Sequence, residues 1–304
     1  MIVNDPGAFL AALARIDALP RAPATARAAF LVSPLDFSLA RESAADNRYM
    51  DLDLATDSGR ALTEHAELAR RLTIDVPVVT FPGDAQAPDG IFPNNAFATT
   101  AGHLIVGRMR HAVRQRETGR PDIRAWFSHI MGYSTIDLST GGHVAELTGA
   151  LVIDRARGIG FCGLSERCDM AGARAMHAAF GLHLTFCFDL ADGEYHTNVV
   201  LAVLAGRAVI LAADGFANPE AAHAIARAYP DRTLWIDVEQ KQAFAANAIT
   251  LSPHRVWMSA RASTSLSARQ HAALTAFGFE MESVELGEIE KAGGSLRCCI
   301  AEIF

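Results

Sequence analysis

Residues 149–164, GALVIDRARGIGFCGL, read as two strand-like runs joined by a turn. MAGARAMHAAFG (170–181) then permits a helix, and LHLTFCFDL (182–190) is a third strand-like run. The same order recurs on both sides of this unit. AFATTAGHLIVGR (96–108), DIRAWFSHIMG (122–132) and STIDLS (134–139) precede it. NVVLAVLAGRAVILA (198–212), PEAAHAIARAYP (219–230) and RTLWIDV (232–238) follow, and then NAITLSPHRVWMSA (247–260), SARQHAALTAFG (267–278) and FEMESVEL (279–286). The units recur with a period of roughly fifty residues, at the upper edge of repeat architectures. What remains is a strand-like end, SLRCCIAEIF (295–304), and near the start a strand AAFLVSP (28–34), a helix RALTEHAELARRL (60–72) and a strand VPVVTF (76–81). If the last strand pairs with the first of these, the two ends jointly make a fifth unit and the repeats close into a ring. The expectation is one α/β domain over residues 1–304, with no linker to divide it.

The short polar motifs fall in step with these units. FPNN (Phe92, Pro93, Asn94, Asn95), ELTG (146–149), YHTN (195–198) and FAAN (244–247) each stand just ahead of a hairpin, and GGSLRCC (293–299) holds that place in the closing unit. In a ring of repeats, equivalent positions face a common axis. Asn95, Glu146, His196, Asn247 and Cys298 are therefore expected to converge on one pocket.

The residue types suit nucleophilic chemistry. A thiolate attacks, a histidine takes or returns its proton, and a carboxylate orients the histidine or carries protons to a leaving nitrogen. On a strand, neighbours point to opposite faces, so only one of Cys298 and Cys299 can face the pocket while the other packs as a small hydrophobe. Gly293 and Gly294 permit a close backbone approach or an unusual turn beside the thiol. Taken singly, each residue has an ordinary role: a core cysteine, a structural histidine, asparagines in turns. Joint registration is what favours chemistry. Cys162, Cys168 and Cys187 lack that registration and are expected in the core. His65, His177, His223 and His271 are expected on helix surfaces.

Composition sets the outer bounds. The chain has 304 residues, a net charge of −7 and half its residues hydrophobic. That profile suits a soluble globular protein and gives no basic footprint for nucleic acid or a membrane surface. The most apolar run is broken by Gly206 and Arg207, too short to span a bilayer. The first thirty residues lack a signal-type apolar stretch, and five cysteines without a Cys-x-x-Cys pair read as free thiols of a cytoplasmic protein. No His/Cys pair has metal-ligand spacing.

The motifs DGIFPNNAFAT, ELTGALVIDR, LSERCD, EYHTNVVLAV, FAANAITL and GGSLRCCIAEIF, with FLVSPLDFSLARESAADNRYMD ahead of them, carry a family resemblance. The chain resembles the amidinotransferase/arginine deiminase superfamily, the pentein fold, and within it the arginine-deiminase-related citrulline-utilisation hydrolases. The resemblance runs from about residue 30 to the last residue. It implies a five-bladed ββαβ propeller and a Cys–His–acid site, with Cys298 as nucleophile, His196 as acid/base and Glu146 as acidic partner. That branch usually carries Met or another apolar residue where Cys299 stands, which favours Cys298 as the reactive thiol. It also implies no metal or organic cofactor, and as partner a small ureido or guanidino amino acid. The sequence is compatible with a homo-oligomer.

Arginine deiminases show F-x-R-D at the first motif and H-x-D at the third, two aspartates that grip a guanidinium. Here Asn95 and Asn198 occupy those places. A buried guanidinium would lose charge-assisted hydrogen bonds worth about 1.5–3 kcal/mol each, whereas a neutral urea suits amides that both donate and accept. Citrulline, hydrolysed to ornithine, carbon dioxide and ammonia, is therefore the expected substrate. Arginine deimination, dihydrolysis, amidino transfer and a silent amino-acid-binding ring are the alternatives. Phe92, Asn94 and Asn247 are expected beside the substrate, and Arg297, Arg41 or Arg110 at its α-carboxylate.

Overall fold

The computed structural model describes residues 1–35 and 37–304. A short strand, β1 (Ile2–Val3), opens the chain, and β2 (Ala28–Val32) pairs in parallel with β3 (Val78–Phe81). β4 (Phe97–Thr100) runs antiparallel to β5 (His103–Val106), which lies parallel to β6 (Ser134–Asp137). The same order returns in β7 (Leu151–Asp154), β8 (Ile159–Leu164) and β9 (Leu184–Asp189), and in β10 (Leu201–Leu204), β11 (Ala208–Leu211) and β12 (Thr233–Trp235). It returns once more in β13 (Ile249–Ser252), β14 (Arg255–Ser259) and β15 (Glu280–Val284). β16 (Ala301–Ile303) runs antiparallel to β2, with Ala301 opposite Phe30. The two ends of the chain thus share a sheet of order β16-β2-β3, beside four others of the same hairpin-plus-parallel design.

The middle strand of each sheet is paired on both sides, which is why it reads as a continuous apolar run. β11 (AVIL) is buried throughout, as are the first five residues of β8. Helices cover the sheets. The helix Ser58–Leu72 starts at Asp57, whose carboxylate accepts from Arg60 N, and it buries Ala61, Glu64, His65, Leu68 and Leu72 at helical spacing. Arg70 and Arg71 lie in its last turn, where the helix dipole favours positive charge. Among the described residues no helix is long and apolar enough to cross a membrane.

Three local expectations need correction. The N-terminal segment, unassigned from sequence, forms a helix at Pro6–Asp17, capped by Asp5, while β1 adds a fourth strand beside β9. Phe9 of this helix stacks on Phe186 with ring centroids 4.7 Å apart, so the extra segment is anchored in the core. At the other end, only Ala301–Ile303 of SLRCCIAEIF is a strand. Residues 296–299 form a turn, with Cys298 N donating to Ser295 O and Cys299 N to Ser295 O and Leu296 O. The two cysteines are therefore separated by a helical step rather than by strand alternation. Cys162, Cys168 and Cys187 are buried free thiols, as expected.

His65 is the third correction, because it is buried rather than on a surface. Its Nε2 has no hydrogen-bond partner, and burial pushes its pKa from 6.5 down to about 4, opposed by a hydrogen bond with the Val32 backbone. The unfolded chain binds this proton near pH 6.5 and the folded chain only near pH 4. Stability contributed by neutral His65 is therefore present above that window and is lost as the pH falls through it. The loss amounts to about 3 kcal/mol at 1.36 kcal/mol per pKa unit. Urea unfolding of wild type and His65→Leu at pH 7 and pH 4 should show a smaller acid loss in the variant. Equal losses would refute the assignment.

Candidate active site

A short turn precedes the first strand of each repeated hairpin. Pro93–Asn95, Leu147–Ala150 and Thr197–Val200 are single helical turns, and residues 243–246 and 296–299 form turns of similar place. Glu146 and His196 hold equivalent positions, each immediately before its one-turn helix. Hydrogen bonds run from unit to unit through these turns. Thr148 Oγ1 donates to Asn94 O at 3.0 Å, Asn198 Nδ2 to Thr148 O at 3.3 Å, and Asn247 Nδ2 to Asn198 O at 3.0 Å. Asn247 Oδ1 then accepts from Arg297 N at 3.0 Å and Cys298 N at 3.4 Å. The motifs that were in step along the sequence are thus joined in space.

Cys298 Sγ sits among amides. Asn247 Nδ2 lies 3.2 Å from it and Asn198 Nδ2 3.7 Å. Burial pushes the thiol above its ordinary pKa, and a backbone hydrogen bond at Ser295 and the two asparagines only partly oppose this. Cys298 is therefore a neutral thiol at rest near pH 7. Cys299 Sγ lies instead 3.5 Å from Ser295 O, and burial raises its pKa further.

His196 and Glu146 form the second half of the site. His196 Nε2 is 2.9 Å from Glu146 Oε2, and both residues are fully buried. Burial would raise the Glu146 pKa, but the charge of Arg167, the hydrogen bond from His196 and the charge of Arg114 hold it well below the usual carboxylate range. Arg167 Nη1 lies 3.2 Å from Glu146 Oε2 and Arg114 Nη1 3.5 Å. Burial lowers the His196 pKa, and Glu146 only partly offsets this, so the imidazole is neutral at rest. Among the described residues no hydrogen bond joins His196 to Cys298. The His196–Glu146 pair and the thiol are brought to one region but remain two separate hydrogen-bonded groups.

Glycine makes their approach feasible. A Cβ on Gly149 would stand 2.3 Å from Asn95 Oδ1 and 2.7 Å from His196 Nδ1, two atoms that have no hydrogen-bond partner. A Cβ on Gly294 would stand 2.8 Å from the Phe92 ring, and Gly293 has φ +73° with Asn47 Nδ2 2.4 Å from the Cβ position. The close approach expected of this glycine pair is present.

A cleft beside the thiol is lined by Cys298, Asn95, Phe92, Asp89, Arg114 and Arg167, together with Asn47 and Tyr195. Of the residues singled out from sequence, Asn95 and Phe92 reach this cleft, while Asn198 and Asn247 touch the thiol. Asn94 is fully buried with both amide atoms unpaired and lies outside the cleft lining. Arg297 directs its guanidinium to Glu302 Oε2 at 2.9 Å and Ile300 O at 2.8 Å rather than into the cleft. Arg110 pairs with Asp46 and Glu166, and Arg41 is exposed. The cleft's charged groups are instead Asp89, Arg114 and Arg167. Asp89 Oδ1 has no hydrogen bond, and burial raises its pKa against the pull of Arg114. Sequence spacing did not single these out, although Asp89 and Arg167 stand inside the motifs DGIFPNN and LSERCD.

The family model for N,N dimethylarginine dimethylhydrolase, eukaryotic, matches residues 33–304. A curated relative, the N(G),N(G)-dimethylarginine dimethylaminohydrolase of Mycobacterium tuberculosis, is 27% identical over 286 residues, covering 93% of this chain and 87% of that protein. Among solved structures, the substrate-bound N-terminal domain of ArgZ, an arginine dihydrolase from cyanobacteria, matches 91% of this chain and 97% of its own at 19% identity and a TM-score of 0.79. A dimethylarginine dimethylaminohydrolase in adduct with S-methyl-L-thiocitrulline matches 91% of this chain and 99% of its own at 20% identity and a TM-score of 0.68. The chain belongs to the dimethylarginine dimethylhydrolase family of the pentein superfamily, and is a cysteine-dependent hydrolase acting on non-peptide C–N bonds.

Proposed function

We propose that the protein hydrolyses a ureido amino acid, citrulline, with Cys298 as nucleophile, His196 as acid/base and Glu146 as the group that orients and charges His196. The observation that carries this reading is the amide surround of the thiol. Asn198 and Asn247 contact Sγ, Asn95 lines the adjoining cleft, and no carboxylate among the described residues touches the sulfur. In this reading Cys298 passes its proton to the neutral His196 as it attacks the ureido carbon, and the bond from that carbon to the terminal nitrogen breaks. His196 supplies the proton with which ammonia leaves, and an S-carbamoyl enzyme remains. Water, deprotonated by His196, then cleaves the C–S bond, and the released carbamate loses carbon dioxide to give ornithine. Arg167 and Arg114 are the cleft's cations for the α-carboxylate. Residues 1–304 form one catalytic domain in which the five hairpin units stand as propeller blades about a common axis. The β16–β2 pairing and the unit-to-unit hydrogen bonds support that arrangement.

A second reading, attack on a guanidinium as in the dihydrolase and the dimethylarginine hydrolases, is favoured by the Asp89 carboxylate in the cleft, whose Oδ1 has no hydrogen-bond partner while Oδ2 lies 3.8 Å from Arg114 Nε. Replacing both Asn95 and Asn198 by Asp distinguishes the two at nearly constant shape. On the ureido reading the double variant loses citrulline turnover by about 100-fold or more in kcat/KM and gains affinity for arginine. The measurement is kcat/KM for citrulline, arginine and dimethylarginine in both proteins. A wild type that handles a guanidino substrate better than citrulline would replace the first reading with the second.

A further inference from the structure

Residues on both sides of His196 reach the segment that carries the thiol. Tyr195 Oη donates to Gly293 O at 2.5 Å, and Asn198 Nδ2 stands 3.7 Å from Cys298 Sγ. The Tyr195 ring also packs beside the imidazole, with ring centroids 4.6 Å apart. One buried side chain thus touches the histidine with its ring and the closing segment with its hydroxyl.

Both ends of that tie are held. Tyr49 packs edge-on against the Tyr195 ring at 5.9 Å, and Tyr49 Oη donates to Glu194 Oε2 at 2.7 Å. Glu194 is buried, and its other oxygen meets Lys241 Nζ at 2.7 Å. A buried carboxylate bonded to an amine and a phenol leaves Tyr49 little freedom. Burial, with the Cys298 thiol close by, keeps the Tyr195 phenol well above its ordinary pKa, so it stays a donor. The accepting carbonyl is fixed as well. Gly293 has φ +73°, and its oxygen takes a second bond from Asn47 Nδ2 at 3.2 Å.

We infer that Tyr195 is a positioning residue that sets the separation between the His196 imidazole and the Cys298 thiol. The inference rests on the roles proposed above for those two residues. A proton must pass from sulfur to imidazole as the thiol attacks, and then from imidazole to the departing ammonia. Displacing one partner of such a step by about 1 Å costs about 100-fold in rate. Asn198 alone holds the separation loosely, because its contact with sulfur is long. The short bond from Tyr195 to Gly293 supplies the firmer tie, one residue before His196 and five before Cys298.

Tyr195→Phe keeps the ring against His196 and Tyr49 and removes the bond to Gly293 O. The assay uses whichever of citrulline, arginine and dimethylarginine the wild type turns over fastest, well below Tm. In the variant kcat should fall at least about tenfold while KM changes by less than about threefold. The solvent deuterium isotope effect on kcat should rise, because proton transfer then limits turnover; a loss of stability alone moves neither. Gly293→Ala disturbs the same bond from its other end, through the positive φ, and decides the matter if Tyr195→Phe fails to fold. It should show the same split, and the double variant should lose no more than the worse single variant, since both act on one bond. A folded Tyr195→Phe protein with kcat within about twofold of wild type, an unchanged isotope effect, or additive losses in the double variant would overturn the inference. Wild-type turnover in Cys298→Ala or His196→Ala would overturn the roles beneath it, and the inference with them. Both of those inactive beside a fully active Tyr195→Phe protein would remove the inference alone.

Discussion

Replacing Cys298 by alanine should abolish turnover, with kcat/KM falling by at least about 10⁴-fold, whereas Cys299→Ala should retain most of it. The two thiols are chemically alike and adjacent, so the difference rests on geometry. The turn at residues 296–299 aims Cys298 Sγ at the amides of Asn247 and Asn198, while Cys299 Sγ faces the Ser295 carbonyl. The raised pKa of Cys298 has a kinetic corollary. Its thiolate is scarce near neutrality, so kcat/KM in wild type should climb as the pH rises into the alkaline range. On a slow substrate, mass spectrometry should place the covalent adduct on Cys298. An adduct on Cys299, or an inactive Cys299→Ala protein that remains folded, would reverse the assignment.

Deleting residues 298–304 (CCIAEIF) should destroy the fold as well as the chemistry. β16 is the antiparallel partner of β2, and without it β2 presents an unpaired edge. Ile300 and Ile303 are fully buried, and each contributes about 1.5–3 kcal/mol. Further ties go with them: Thr99 Oγ1 donates to Glu302 O at 3.0 Å, and Arg27 N donates to Ile303 O at 3.0 Å. Losing these together is large against a total stability of about 5–15 kcal/mol. Circular dichroism and size-exclusion chromatography of the truncated chain should show an unfolded or aggregated species. The full-length Cys298→Ala protein is the control, since it lacks the nucleophile and keeps β16. A truncated chain that stays folded and monodisperse would count against the β16–β2 seam as a structural requirement.

Much of the architecture was legible because it is local. A strand pair joined by a turn, then a helix, then a strand depends on apolar periodicity and turn residues within about twenty positions, and four such units could be read directly from the chain. The pairing of the two ends followed from what those units left over. The helix Pro6–Asp17 was missed because nothing in the repeat pattern assigns it a place, and its anchor, Phe9 on Phe186, is a contact across the fold. His65 was misplaced on a surface because a histidine inside a helical stretch does not declare which face is covered.

By itself, then, the sequence determined the repeating order of elements, the joining of its two ends in one sheet, and the short list of polar residues ahead of each hairpin. Only the tertiary structure decided how those residues meet. It put Cys298 against two amides and His196 against Glu146 as separate groups, gave Arg297 to Glu302, and lined the cleft with Asp89, Arg114 and Arg167. The physical reason is that turn rotation and ion-pair choice are settled by packing between units. Arg167 meets Asp46 across 121 positions of sequence, and Asn198 meets Cys298 across 100. No periodicity in the chain encodes such partners; burial selects them, because a charge taken out of water must be matched by whatever the fold has placed beside it.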